Sequence, residues 1–68
     1  MKKEITNSNT VKSLEYNGTT QVLTIEFNYA TYTYKPVPKE VADKAFAAES
    51  IGSFVHSDLK GKYITEKV

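Results

Sequence analysis

Gln21-Val22-Leu23-Thr24-Ile25-Glu26-Phe27-Asn28 sends Leu23, Ile25 and Phe27 to one side of the chain and Val22, Thr24 and Glu26 to the other. That two-residue period predicts a strand with one buried face over residues 21–28. Such a strand needs neighbours, and the flanking sequence supplies them. Residues 10–16 set Val11, Ser13 and Glu15 against Lys12, Leu14 and Tyr16, and Asn17-Gly18 closes the run with a dipeptide suited to a tight hairpin. Residues 29–35 are rich in Tyr and Thr, with Ala30, Tyr32 and Tyr34 alternating against Tyr29, Thr31 and Thr33. The expected sheet is a three-stranded antiparallel meander whose second turn, near Asn28 to Ala30, is tight and free of glycine.

Lys35-Pro36-Val37-Pro38 ends the sheet, because proline has no N–H for a ladder and forces the residue before it into extended conformations. Pro38 then suits the first turn of a helix, Glu40 lies near that helix's positive end, and Val41, Ala42, Ala45, Phe46 and Ala48 recur at helical spacing. The main helix is predicted over 38–49. Ser50-Ile51-Gly52-Ser53 interrupts it, and a short second helix is expected over 53–60, ending at Gly61. Residues 62–68 alternate again and offer an edge strand, whereas the polar residues 1–9 read as a loose arm. The expected fold is therefore α+β: the meander, with the main helix and the short helix packed on one face, as a single domain over 10–68. Its predicted core is Leu14, Leu23, Ile25, Phe27, Val41, Ala45, Phe46, Ile51, Phe54 and Leu59. Truncating either Phe27 or Phe46 to Ala is expected to cost about 3–5 kcal/mol.

With 68 residues, the chain has room for one domain and hides only about 60% of its unfolded surface on folding. It has no cysteine, so neither disulfides nor thiolate metal sites can staple it, and self-association is an open route to further burial. Nine lysines, no arginine and eight carboxylates leave a net charge of +1, far from the balance of a dedicated duplex-DNA binder. No apolar stretch reaches the length of a signal peptide or a membrane span, so a soluble, cytoplasmic protein is expected.

His56 is the sole histidine. A Ser-His-Asp triad is recognised by geometry and not by co-occurrence, so His56 reads first as a surface residue. No zinc or calcium ligand spacing is present, and no metal, cofactor or enzymatic activity is expected. Gly18, Gly52 and Gly61 are too widely spaced for a P-loop or a dinucleotide fingerprint. Ser50-Ile51-Gly52-Ser53 offers either a cradle for one phosphate or simply a turn and a helix cap. Tyr32-Thr33-Tyr34-Lys35 and Lys60-Gly61-Lys62-Tyr63 each join a ring able to stack on a base with lysines able to meet phosphate, although the same tyrosines also suit a sheet face.

Taken in order, Ser13 and Tyr16, then Leu23, Ile25 and Phe27, then Tyr32-Thr33-Tyr34 resemble the KTSC domain. The resemblance continues through Val37-Pro38-Lys39-Glu40-Val41, Ser50-Ile51-Gly52-Ser53-Phe54 and Lys60-Gly61-Lys62-Tyr63. That family is a small module found alone in bacteria or phage and fused to the C-terminus of some lysyl-tRNA synthetases. The resemblance implies a small α+β domain, with RNA binding suggested by the synthetase context. Asn28-Tyr29-Ala30 departs from the family's usual Asn-Gly type of turn. The leading expectation is a non-enzymatic module binding RNA, another single-stranded nucleic acid or a nucleotide through Tyr34, Lys35, Ser53, His56, Lys60, Lys62 and Tyr63. The alternatives are a phage-type sponge for a cyclic signalling nucleotide at a subunit interface, and a module that binds or inhibits a partner protein.

Overall fold

The computed structural model of the chain describes residues 1–5 and 10–68. Strands β1 (Lys2–Glu4), β2 (Val11–Asn17), β3 (Val22–Phe27), β4 (Thr31–Lys35) and β5 (Ile64–Lys67) form one antiparallel sheet in the order β1-β2-β3-β4-β5. Between β4 and β5 come helix α1 (Lys39–Ala47) and the short helix α2 (Ile51–Phe54), which runs directly into a π-helical turn, Val55–Leu59. The molecule is a small α+β domain, but its sheet has five strands where the sequence reading counted three in the meander and offered one more at the C-terminal edge.

Both additional strands lie at the edges. Lys2–Glu4, expected in a loose arm, pairs with β2 through Lys2↔Glu15, Lys3↔Leu14 and Glu4↔Ser13. Residues 6–9 of that expected arm lie outside the described residues. Three charged, exposed residues carry no readable alternation, and β1 exists because backbone groups of β2 are there to pair with it. Lys3 also donates from Nζ to the carbonyl of Phe46 at 3.1 Å, joining β1 to the negative end of α1. On the other edge, the tail pairs as β5 with β4, from Tyr32↔Lys67 to Lys35↔Ile64.

Cross-strand pairs Leu14↔Ile25, Tyr16↔Leu23, Leu23↔Tyr34 and Ile25↔Tyr32 line up one face of the sheet. Leu14, Leu23 and Ile25 are fully buried there, each worth about 1.5–3 kcal/mol of burial. Val11 joins the same face although the simple alternation sets it opposite Leu14. A bulge between Val11 and Ser13 shifts the register by one and turns Val11 inward. From α1 the residues that reach the core are Ala42 and Ala45, whose small side chains allow close approach, while Val41 and Phe46 are only half-buried at its flanks. Tyr16, Tyr34 and Val37, absent from the expected core, are buried as well. The Tyr16 hydroxyl donates to the Val37 carbonyl at 2.6 Å, and the Val37 amide donates to the Gln21 carbonyl at 2.8 Å. Two long-range bonds therefore clamp the segment after β4 onto the first hairpin.

That hairpin is looser than a two-residue turn. Asn17 stays in β2 opposite Val22, leaving residues 18–21 as the loop. The Asn17 side chain accepts from the amides of Thr19 at 2.9 Å and Thr20 at 3.2 Å, and the left-handed residue is Gln21, with φ 57°. The second helix also starts earlier than expected. Ser50, and not Ser53, is its N-cap, with Oγ accepting from the Ser53 amide at 3.3 Å.

Two consequences can be measured. Phe27 is 6% exposed whereas Phe46 is half-buried, so in urea denaturation Phe27→Ala should lose about 3–5 kcal/mol and Phe46→Ala clearly less; equal losses would contradict this core. Burial pushes the Tyr34 phenol above its usual ionisation range, and the neighbouring phenols of Tyr29 and Tyr32 add to the effect. The folded state therefore holds the Tyr34 proton more tightly than the unfolded state. The stability this contributes is present below the unfolded value of about 10 and is lost as pH rises through the higher folded value. Denaturation midpoints should fall more steeply above pH 10 in the parent protein than in Tyr34→Phe; parallel curves would remove Tyr34 as the cause.

Candidate functional site

On the helix-bearing side of the sheet, a hollow of about 610 Å³ opens between the β3–β4 turn and the π-helical turn. Its sheet wall follows from strand alternation. Tyr34 must face the helices because it pairs with Leu23, and Tyr32, two residues earlier, then shares that face. Phe27 extends the wall at the end of β3. Tyr29, in the turn itself, folds over to stack on Phe27 with ring centroids 5.4 Å apart and an interplanar angle of 23°. Tyr32 meets the same Phe27 ring edge-on at 5.9 Å and 72°. The result is a continuous aromatic wall running from buried Tyr34 to Tyr29, which is 71% exposed.

The opposite wall comes from the π-helical turn. The Lys60 amide donates to the carbonyl of Val55, five residues back, at 2.8 Å. That i→i+5 bond sets Lys60 over Val55, whereas in an α-turn residues five apart diverge. Val55, His56 and Lys60 thereby all line the hollow. Gly61, at φ +79°, then turns the chain out of the helix toward β5, a conformation that side chains disfavour. No residue lining the hollow is acidic, and among the described residues Lys60 has no carboxylate partner. A smaller depression of about 310 Å³ on the opposite sheet face does contain a carboxylate, that of Glu15.

Of the residues singled out from the sequence, Tyr34, His56 and Lys60 meet at this hollow. Lys35 does not, because the residue after Tyr34 must face the other way; it pairs with Glu66 at 3.2 Å on the outer face. Ser53 is taken up in the cap, with its amide and hydroxyl both bonded to Ser50 Oγ. Lys62 is exposed outside the hollow, and the Tyr63 ring packs against the core. Phe27, Tyr29 and Val55 line the hollow without having been anticipated, and Tyr32, read from the sequence as part of a stacking stretch with Tyr34, lines it too. Tyr29 had been set on the face opposite Tyr32, but the turn at Asn28 to Ala30 frees it from that alternation. The spacing of two between Phe27 and Tyr29 was the available signal.

Ser57 Oγ lies 2.9 Å from the Ser53 carbonyl and 3.0 Å from Asp58 Oδ1, so its hydroxyl is engaged away from His56. Among the described residues, no group of three or more His, Cys, Asp or Glu side chains is placed to hold a metal ion. No helix among them is long and apolar enough to cross a membrane.

Residues 7–63 match the model of the KTSC domain. A protein of Tsukamurella paurometabola is 39% identical over 57 residues, covering 82% of this chain and 85% of that protein. A lysine–tRNA ligase of Trichormus variabilis is 37% identical over 59 residues; the match covers 85% of this chain but only 10% of the ligase. The crystal structure of a KTSC domain protein from Yersinia pestis superposes with a TM-score of 0.89 at 28% identity, covering 100% of this chain and 96% of that one. The ordered set of strand, helix and Gly-Lys-Tyr motifs and the five-stranded fold thus lead to one assignment: the chain belongs to the KTSC domain family.

Proposed function

We propose that this chain is a non-enzymatic binding module for a nucleotide unit, free or within a single-stranded nucleic acid, acting in a cytoplasmic setting. One observation carries the reading: an aromatic wall faces a lysine that has no carboxylate partner among the described residues, across a hollow that no carboxylate lines. A base stacks on the exposed ring of Tyr29 and its neighbours, because every base presents a π-face to such a platform. The Lys60 ammonium meets phosphate as a point charge, with His56 as a second N–H donor beside it. The volume falls within the range usual for small-molecule sites. The relative named as a lysine–tRNA ligase, whose name states an RNA substrate, supports the nucleic-acid side of the reading.

Tyr29→Ala and Lys60→Ala test it with little danger to the fold, since both side chains are exposed. Titrations of nucleoside monophosphates and a short single-stranded RNA, followed by tyrosine NMR shifts, should saturate for the parent protein. Tyr29→Ala should then weaken binding by the worth of one stacked base, about 1–3 kcal/mol or roughly 5- to 150-fold. Failure of every ligand to saturate, or binding indifferent to both variants, would overturn the proposal.

A further inference from the structure

Strand β5 brings a second cation to the hollow's side of the sheet. Tyr32 is paired directly with Lys67, and Tyr34 with Thr65. Residues directly opposite one another in an antiparallel pair share a face, so Thr65 and Lys67 emerge beside the two tyrosines, and Thr65 lines the hollow. The Val68 amide donates to the Thr31 carbonyl at 2.8 Å, which makes Tyr32 and Lys67 the adjacent pair without hydrogen bonds of its own. Such pairs hold their Cα atoms about 4.5 Å apart, with the side chains at their closest. Lys67 is thus an exposed cation beside Tyr32, and among the described residues it has no carboxylate partner. Its neighbour Glu66 points to the outer face, where it pairs with Lys35.

We infer that Lys67 is a second phosphate contact of this site, and that the ligand it completes is a short single-stranded nucleic acid: a base stacked on Tyr29 and Tyr32, one backbone phosphate on Lys60 and another on Lys67. The inference rests on the nucleotide-binding reading above and narrows it. The two lysines stand on different walls, Lys60 on the π-helical turn across the hollow and Lys67 on the sheet itself. Phosphates on both sides of a base are what a strand presents, whereas a nucleoside diphosphate carries its two as neighbours at one end. Exposed rings flanked by cations along the path of a backbone are the general form of a single-strand site. Because the chain has no arginine, each contact is a point charge that follows the backbone without reading a base edge.

Each phosphate neutralised on a single strand contributes about −0.7 to the slope of log affinity against log salt. Calorimetric titration of the full chain with hexaadenylate and hexauridylate, from about 50 to 200 mM salt, should therefore give a slope of about −1.4 or steeper for at least one of them. Lys67→Gln, which keeps the stem and removes the charge, should lose about 0.7 of that slope, as should Lys60→Gln, while Lys44→Gln on the exposed side of α1 should lose none. The matching nucleoside bisphosphate, with one phosphate on each side of its ribose, should bind about fivefold more tightly than the monophosphate or the diphosphate, and Lys67→Gln should remove that advantage. A slope of about −0.7 in the parent protein, or one indifferent to Lys67→Gln, overturns the second contact while sparing the nucleotide reading. A diphosphate that binds as tightly as the bisphosphate overturns the assignment to a strand. No binding by any of these probes overturns the parent reading, and this inference with it.

Discussion

Burial of Leu23 and Ile25 in the middle strand sets the phase of every strand beside it. Because side chains alternate, covering Leu23 brings its partners Tyr16 and Tyr34 to the same face, and covering Ile25 brings Leu14 and Tyr32. One constraint therefore brings Tyr32 and Tyr34 to the hollow and, one residue later, sends Lys35 to the opposite side. The helical layer is too small to close over the whole of that face. α1, α2 and the π-helical turn together span eighteen residues, and the aromatic end at Tyr29 and Tyr32 is left accessible.

The same alternation segregates charge. Glu4, Glu15, Glu26 and Glu66 stand on strands at outward-facing positions of the register, where Glu26 accepts from Ser13 Oγ at 3.1 Å and Glu66 meets Lys35. The helix-bearing side keeps its hollow free of carboxylates and places Lys60 at its rim. With a net charge of only +1, the long-range field offers an anion little attraction. The π-helical turn contributes to that arrangement: its wide backbone bond from Lys60 to Val55 accompanies Val55, His56 and Lys60 all lining the hollow.

Similarity within the family has the same basis. The Yersinia pestis protein shares 28% of its residues and superposes over the entire chain. A domain of this size tolerates exchange of apolar residues so long as volume and alternation are kept. The clamp from Tyr16 to Val37 belongs to the same economy: one phenol fills core volume and satisfies a buried carbonyl.

Much of this was readable in the chain before any coordinates. The three inner strands, the proline break and the main helix follow from local periodicity and from the order of the elements, since period and backbone chemistry act over a few residues at a time. What lay beyond that reach was long-range. β1 exists only because β2 offers it an edge; Val11 turns inward only through a bulge; Tyr29 joins the rings only because a turn releases it from its strand. Lys35 and Lys60 look alike in sequence, each a lysine beside or near a tyrosine. Tertiary structure separated them, because strand phase and helix geometry, which no short stretch of residues encodes by itself, determine on which side of the sheet a charge emerges.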